Sequence, residues 1–189
     1  MADVALEFHP VTAERQCDLE RFSQRHGKFR YCSCMRWRMT STEFKESTKE
    51  SRIAELSAHA VKGTPVGVLA YLDGEPVGWC SIAPRETYRA LERYRALQRI
   101  DDEPVWSVVC FFVDSKARRR GMTTGLLRAA ADYAVAAGAR VVEGYPVEPT
   151  ARLYTYMGSP ATFRAAGFRD VTPPGRDRRV MRFQPDSPD

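Results

Sequence analysis

Apolar and polar positions recur with two different periods along this chain, and the changes of period mark its elements. Residues 4–9 read as a short strand. Thr12 is placed to cap a helix running to about residue 26, and Ser41 or Thr42 opens a second helix through about residue 62. Ile53, Leu56 and Ala60 form the apolar face of that second helix, and Gly63-Thr64-Pro65 ends it. Between the two lies KFRYCSCMRWRM, aromatic and basic without a clear period. Residues 66–72 and 77–83 are β-rich runs around Asp73-Gly74-Glu75-Pro76. Asp-Gly between such runs signals a hairpin, because both positions tolerate positive φ.

Residues 87–99 predict a helix, which Asp101-Asp102-Glu103-Pro104 breaks. Residues 105–113, VWSVVCFFV, are almost continuously apolar, the mark of a strand buried on both faces and therefore central. A long helix rich in alanine and leucine, TGLLRAAADYAVAAGA, ends at Gly138. Residues 140–143 read as a short strand, and residues 144–158 as a loop with Pro146, Pro149 and three tyrosines. Ser159-Pro160 starts a short helix, and two strands, 168–171 and 179–183, flank a Pro-Pro-Gly turn. The expected architecture is α/β of the α+β type, a central mixed, mostly antiparallel sheet flanked by helices. One domain over residues 1–183 and a disordered tail at 184–189 are expected.

Composition narrows the function classes. At 189 residues and 43% hydrophobic, the chain supports one packed domain. No run approaches the roughly 18 apolar residues of a membrane span. The start, MADVALEFHP, lacks the basic and apolar regions of a secretory signal, so a cytoplasmic protein without membrane partners is expected. Five scattered cysteines suit a reducing compartment. Cys32-x-Cys34 with three distant histidines falls short of a zinc site, so no metal is expected. Cys110, inside the apolar strand, reads as an inert thiol. The net charge of +5 fits a small anion as readily as nucleic acid. Basic residues are interspersed with acids and no nucleic-acid motif occurs, so a nucleic-acid partner is not expected.

The chemistry concentrates in RRRGMTTGLL, between the apolar strand and the long helix. The first backbone N–H groups of a helix lack intrahelical partners, and the helix dipole adds positive charge there. Gly121 lets a ligand approach the backbone closely. This junction favours a phosphate or pyrophosphate, held by backbone N–H groups with Arg118, Arg119 and Arg120 adding charge. It is neither a Walker loop nor a dinucleotide fingerprint.

The run VCFFVDSKARRRGMTTGLLRAAADYAVAAGA resembles the coenzyme A-binding motif of the GNAT acetyltransferase superfamily, with Arg118-x-x-Gly121-x-Thr123 in the loop. SPATFRAAGFRDV resembles that superfamily's later motif, and CSCMRWR, WCSIAPR and EGYP are similar to one bacterial branch of it. The resemblance implies an acetyl-CoA-dependent N-acetyltransferase acting by direct attack on a primary amine, with a small-molecule acceptor expected. A protein or peptide acceptor, or a non-catalytic acyl-CoA-binding module, are the alternatives. The fold would be a monomer or homodimer. By resemblance, backbone at Arg119, Arg120, Gly121, Met122, Thr123 and Thr124 would hold the pyrophosphate, while Phe111, Phe112 and Val113 would pair with the pantetheine arm. Glu143 would be the base, Tyr154 or Tyr156 the acid, and Tyr31, Trp37 and Arg38 would contact the acceptor. The sequence departs from the pattern twice. Thr123 replaces a small residue of the loop, and Phe163 stands where many members carry a tyrosine acid.

Overall fold

The computed structural model describes residues 6–117 and 121–185. Arg118, Arg119 and Arg120 therefore lie outside the described residues, as does most of the expected tail. The strands β1 (Leu6–Pro10), β2 (Gly67–Leu72), β3 (Glu75–Pro84), β4 (Trp106–Val113), β5 (Val142–Gly144), β6 (Arg169–Asp170) and β7 (Met181–Phe183) form one sheet. Its order is β1-β2-β3-β4-β5-β7-β6. Every pairing is antiparallel except β4 with β5. This is the expected mixed, mostly antiparallel sheet.

Helices cover both faces. On one face pack α1 (Gln16–Arg25), α2 (Gly27–Cys32), α4 (Lys49–Val61) and α5 (Arg89–Arg93), through Leu19, Phe22, Phe29, Leu56 and Leu91. On the other lie α6 (Met122–Ala136) and α7 (Pro160–Ala165). Helix α6 buries Met122, Leu126, Leu127, Ala130, Ala131 and Ala134, a stripe at helical spacing whose alanines let it lie close on the sheet. Its end is set by Gly138 at φ 94°, with the Ala139 N–H returning to the Ala134 carbonyl at 2.9 Å. The β2–β3 hairpin turns through Asp73 and Gly74 at φ 50° and 77°, as the Asp-Gly pair predicts.

Three expected elements differ. Thr12 makes no side-chain cap, and a 3-10 turn at Ala13–Arg15 precedes α1. The expected helix from Ser41 to residue 62 is two, α3 (Ser41–Glu46) and α4. Thr40 caps the first and Thr48 the second, each by a capping box, and an N-cap residue must be extended, so the chain breaks at Ser47-Thr48. The expected helix 87–99 is α5 followed by a 3-10 turn at Arg95–Leu97. The aperiodic segment after α2 holds Ser33 and Cys34 at φ 43° and 54°, consecutive left-handed residues. That turn carries Met35, Trp37 and Met39 inward, each at most 5% exposed.

Candidate functional site

The site begins where two neighbouring strands part. β4 pairs with β5 only at Trp106↔Val142, Ser107↔Glu143 and Val108↔Gly144, and β5 then ends while β4 runs on to Val113. Pro146, two residues past β5, has no N–H to extend the ladder. On the β3 side the register shifts: Ser81 pairs with Cys110 but Ile82 with Val108, leaving Val109 as the extra residue of a bulge. The bulge is visible in the packing, because Val109 and Cys110 sit on the same face while Val108 and Phe111 sit on the other. A bulged residue's peptide groups leave the ladder, so this strand offers backbone polar groups beside the parting.

On one face of the sheet Met122, at the start of α6, packs with Val108, Phe111 and Val113 of β4. Gly121 is the N-cap at φ 68° and has no side chain to cap the helix, and among the described residues a β-carbon built on Gly121 would meet nothing within 4 Å. Met122 is buried, and Thr123 and Thr124 are half-buried in the first turn. A first turn without a side-chain cap is the geometry an anion uses.

On the opposite face lies a cavity of about 380 Å³ whose walls include Trp37, Tyr94, Tyr154, Tyr156, Arg36 and Arg93. The Tyr94 and Tyr154 hydroxyls are hydrogen-bonded at 2.9 Å, and the Arg178 guanidinium lies 4.7 Å from the Tyr154 ring centre. The bond with Tyr94, then burial, pushes the Tyr154 phenol up from its ordinary value, and burial does the same to Tyr156. Both are proton carriers at neutral pH. The thiols of Cys110, Cys32 and Cys34 lie close enough to Tyr156 to bear on its titration, placing it near β4.

Those thiols are not nucleophiles. The Trp79 indole N–H donates to Cys34 Sγ at 3.0 Å, and burial raises the Cys34 pKa. A hydrogen bond with Cys34 draws the Cys110 thiol down, but burial and the neighbouring thiols leave it above its ordinary value. A neutral buried thiol is unreactive. Among the described residues no group of His, Cys, Asp or Glu could hold a metal.

Glu143 is 2% exposed, and both its oxygens are engaged. Oε1 accepts from Arg85 Nη1 at 3.1 Å and from the Tyr145 hydroxyl at 2.7 Å, and Oε2 accepts from Arg182 Nε at 2.8 Å. Arg85, fully buried, also donates to Glu92, to the Leu97 carbonyl and to Tyr145. Arg182 grips Asp101 through two bonds of 2.6 and 2.8 Å. Phe163 is fully buried, edge-on to Phe111 and Phe168. A β-carbon on Gly144 would lie 2.1 Å from its ring.

The family model for the GNAT acetyltransferases matches residues 31–158, from the turn segment through β4, α6 and the tyrosine loop. The chain belongs to the GNAT family. No curated protein sequence matches it. Among solved structures, GNAT relatives share its fold over almost its whole length at low identity. A polyamine N-acetyltransferase from Drosophila melanogaster superposes with TM-score 0.58 at 13% identity, covering 95% of this chain and 100% of that one. A ribosomal-protein-alanine N-acetyltransferase from Brucella melitensis gives 0.54 at 19%, covering 94% and 99%. The PaiA N-acetyltransferase of Thermoplasma acidophilum, solved with coenzyme A, gives 0.53 at 11%, covering 95% and 99%.

Of the residues singled out in the sequence, Trp37, Tyr154 and Tyr156 come together at the cavity of this GNAT fold. Tyr31 and Arg38 are not among its walls. Tyr31 is 59% exposed and packs on Phe44 and Arg52. Arg38 is 4% exposed, its guanidinium bonded to the Pro65 carbonyl and Thr87 and stacked 4.6 Å from the Tyr88 ring. Tyr94, Arg93, Arg85 and Arg178 were not anticipated. Their only mark in the sequence is the density of arginine and tyrosine in residues 85–99 and the RDRR run at 176–179.

Proposed function

We propose that the protein is an acetyl-CoA-dependent N-acetyltransferase whose acceptor is a small-molecule primary amine. The observation that carries this reading is the parting of β4 from β5 between an uncapped helix start and an aromatic cavity. The residues present fit acetyl-CoA. Backbone of Phe111, Phe112 and Val113 would run beside its amide-bearing arm as a strand partner, and the N–H groups of Gly121 through Thr124 would receive the pyrophosphate. Thr123 fits because its first-turn N–H is unaffected by its side chain. Acetyl-CoA supplies the activated acetyl group and a thiol that leaves.

The chain's own residues supply the rest. The bulge at Val109 frees backbone to polarise a carbonyl lying beside β4, oxyanion-type stabilisation in a water-poor setting. Tyr156, kept protonated by burial, is the proposed donor to the departing thiolate, in place of the tyrosine that Phe163 replaces. Glu143, with both oxygens bound by guanidinium and phenol groups, has no oxygen unclaimed for an ammonium proton and is proposed as the anchor of the cleft. A cavity of about 380 Å³ suits a small molecule.

The test is release of free coenzyme A from acetyl-CoA across a panel of primary amines. Amine-dependent release is the expected result. Tight acetyl-CoA binding without release by any amine would make the protein a binding module.

A further inference from the structure

The charge of the acceptor cavity has a direction that the transferase reading does not use. Arg36 and Arg93 both reach its wall, both are exposed, and among the described residues neither has a carboxylate partner. Arg36 stands 5.6 Å from the Phe44 ring centre, a contact that holds the guanidinium without neutralising it. The acidic neighbours in sequence are engaged elsewhere. Glu43 accepts the Thr40 N–H at 2.7 Å and pairs with Arg89 at 2.6 Å. Glu92 pairs with Arg85 at 2.8 Å and Arg99 at 2.9 Å. Among the described residues no carboxylate lines the cavity.

A further donor lies in the same wall. Trp37 is 5% exposed, and its indole N–H has no hydrogen-bond acceptor among the described residues. A buried donor without an acceptor is costly, and such groups in a cavity wall mark places where a ligand oxygen belongs. The remaining walls are aromatic: Tyr94, Tyr154 and Tyr156 present rings to whatever lies inside. Flat apolar surface between cationic donors is complementary to a flat body bearing an anion.

We propose, on the footing of the transferase reading, that the acceptor is an aromatic amine carrying a carboxylate, bound by Arg36 and Arg93 and stacked among the tyrosines. The same charges act against a polyamine, whose distal ammonium groups would face two guanidiniums with no acid to receive them. They also favour the neutral form of the amine, since nearby positive charge lowers an ammonium pKa. A neutral amine attacks without a carboxylate base, and the proton its nitrogen sheds after attack passes to solvent and balances the one that Tyr156 gives the leaving thiolate.

The experiment uses the full chain with acetyl-CoA and follows coenzyme A release for matched acceptors: para-aminobenzoate against aniline, tyrosine against tyramine, and spermidine alone. The carboxylate-bearing member of at least one pair is expected to have a kcat/KM about ten-fold or more above its partner, with spermidine below both. The double substitution Arg36→Gln with Arg93→Gln should bring that ratio to about one, mainly through KM. Turnover of aniline, tyramine or spermidine at rates equal to or above the carboxylates overturns the inference and leaves the transferase reading standing. A ratio unchanged by the double substitution also overturns it. No release with these probes or with the wider amine panel removes both.

Discussion

The Glu143 carboxylate meets the Arg85 guanidinium at 3.1 Å with both side chains at most 2% exposed. Arg85 follows β3 and Glu143 lies in β5, so the pair spans the intervening strand β4. Tyr145 joins the clamp, bonded to Glu143 and to Ser107 of β4 at 2.9 Å. The strands on either side of the cleft are thereby tied at the point where β4 and β5 separate.

Glu143→Gln removes one of the two carboxylates on the buried Arg85 guanidinium and leaves the Glu92 carboxylate at 2.8 Å. It should destabilise the fold by about 1–3 kcal/mol, the cost of weakened charge-assisted hydrogen bonds in a buried site. Thermal unfolding reads this directly, and the acid limb of the pH–rate profile should keep its position. An unaltered unfolding midpoint with a displaced acid limb would return the role of base to Glu143.

Gly144 and Phe163 share one space. A β-carbon at residue 144 would lie 2.1 Å from the Phe163 ring, so Gly144→Ala should cost about 1–3 kcal/mol or more by overpacking. Phe163→Tyr extends the same ring in a fully buried site and should also destabilise, without raising kcat. A gain in kcat would show that the tyrosine acid can be restored at this position.

Asp101 links stability to pH. Its hydrogen bonds from Arg182 hold the carboxyl below the ordinary aspartate range, against the opposing effect of burial. A lowered folded-state pKa means the contribution is present above the unfolded value, about 4, and is lost as pH falls through the folded value. The side chain is 45% exposed, so screening keeps this contribution to under about 1 kcal/mol. Asp101→Asn should lower the unfolding midpoint at neutral pH, and the difference from the parent protein should close as the pH falls through the lowered folded-state value.

Gly121 separates ligand binding from folding. Among the described residues its β-carbon would meet no atom within 4 Å, so the positive-φ strain, about 1–3 kcal/mol, is the main expected cost of Gly121→Trp. Its bulk would stand before the first turn of α6. Acetyl-CoA affinity measured by calorimetry is expected to fall at least about ten-fold in a protein that remains folded. Unchanged affinity would remove this loop as the phosphate site.

The parts of the fold that were legible in sequence are those whose cause is local. Asp73-Gly74 demands its turn, the alanine stripe of α6 has one period, and the apolar run of β4 declares burial on both faces. The same run conceals the bulge, because when every position is apolar a shift of face leaves no polar residue out of place. Thr48 reads as helical until it is recognised as a cap. The site contacts are long-range: Arg85 and Glu143 are 58 residues apart, and Tyr94 and Tyr154 are 60 apart. Nothing local to Tyr94 marks it as a hydrogen-bond partner. Arg38 and Trp37 are adjacent, yet only Trp37 lines the cavity, because Arg38 turns to Pro65, Thr87 and the Tyr88 ring, contacts 27 to 50 residues away.

The early end of β5 gives this protein an edge strand in the interior of its sheet. An edge at the rim of a sheet can recruit a second chain and lead to aggregation, and proteins guard it with charge or cover. Here the edge of β4 is flanked by sheet on the β3 side and by the 3-10 turn Thr155–Met157 on the other. A visitor must be slender and lie along the strand, which a folded protein cannot do. The amides of this stretch should exchange with solvent faster than those of β2 until something fills the gap, so hydrogen exchange would report the missing strand.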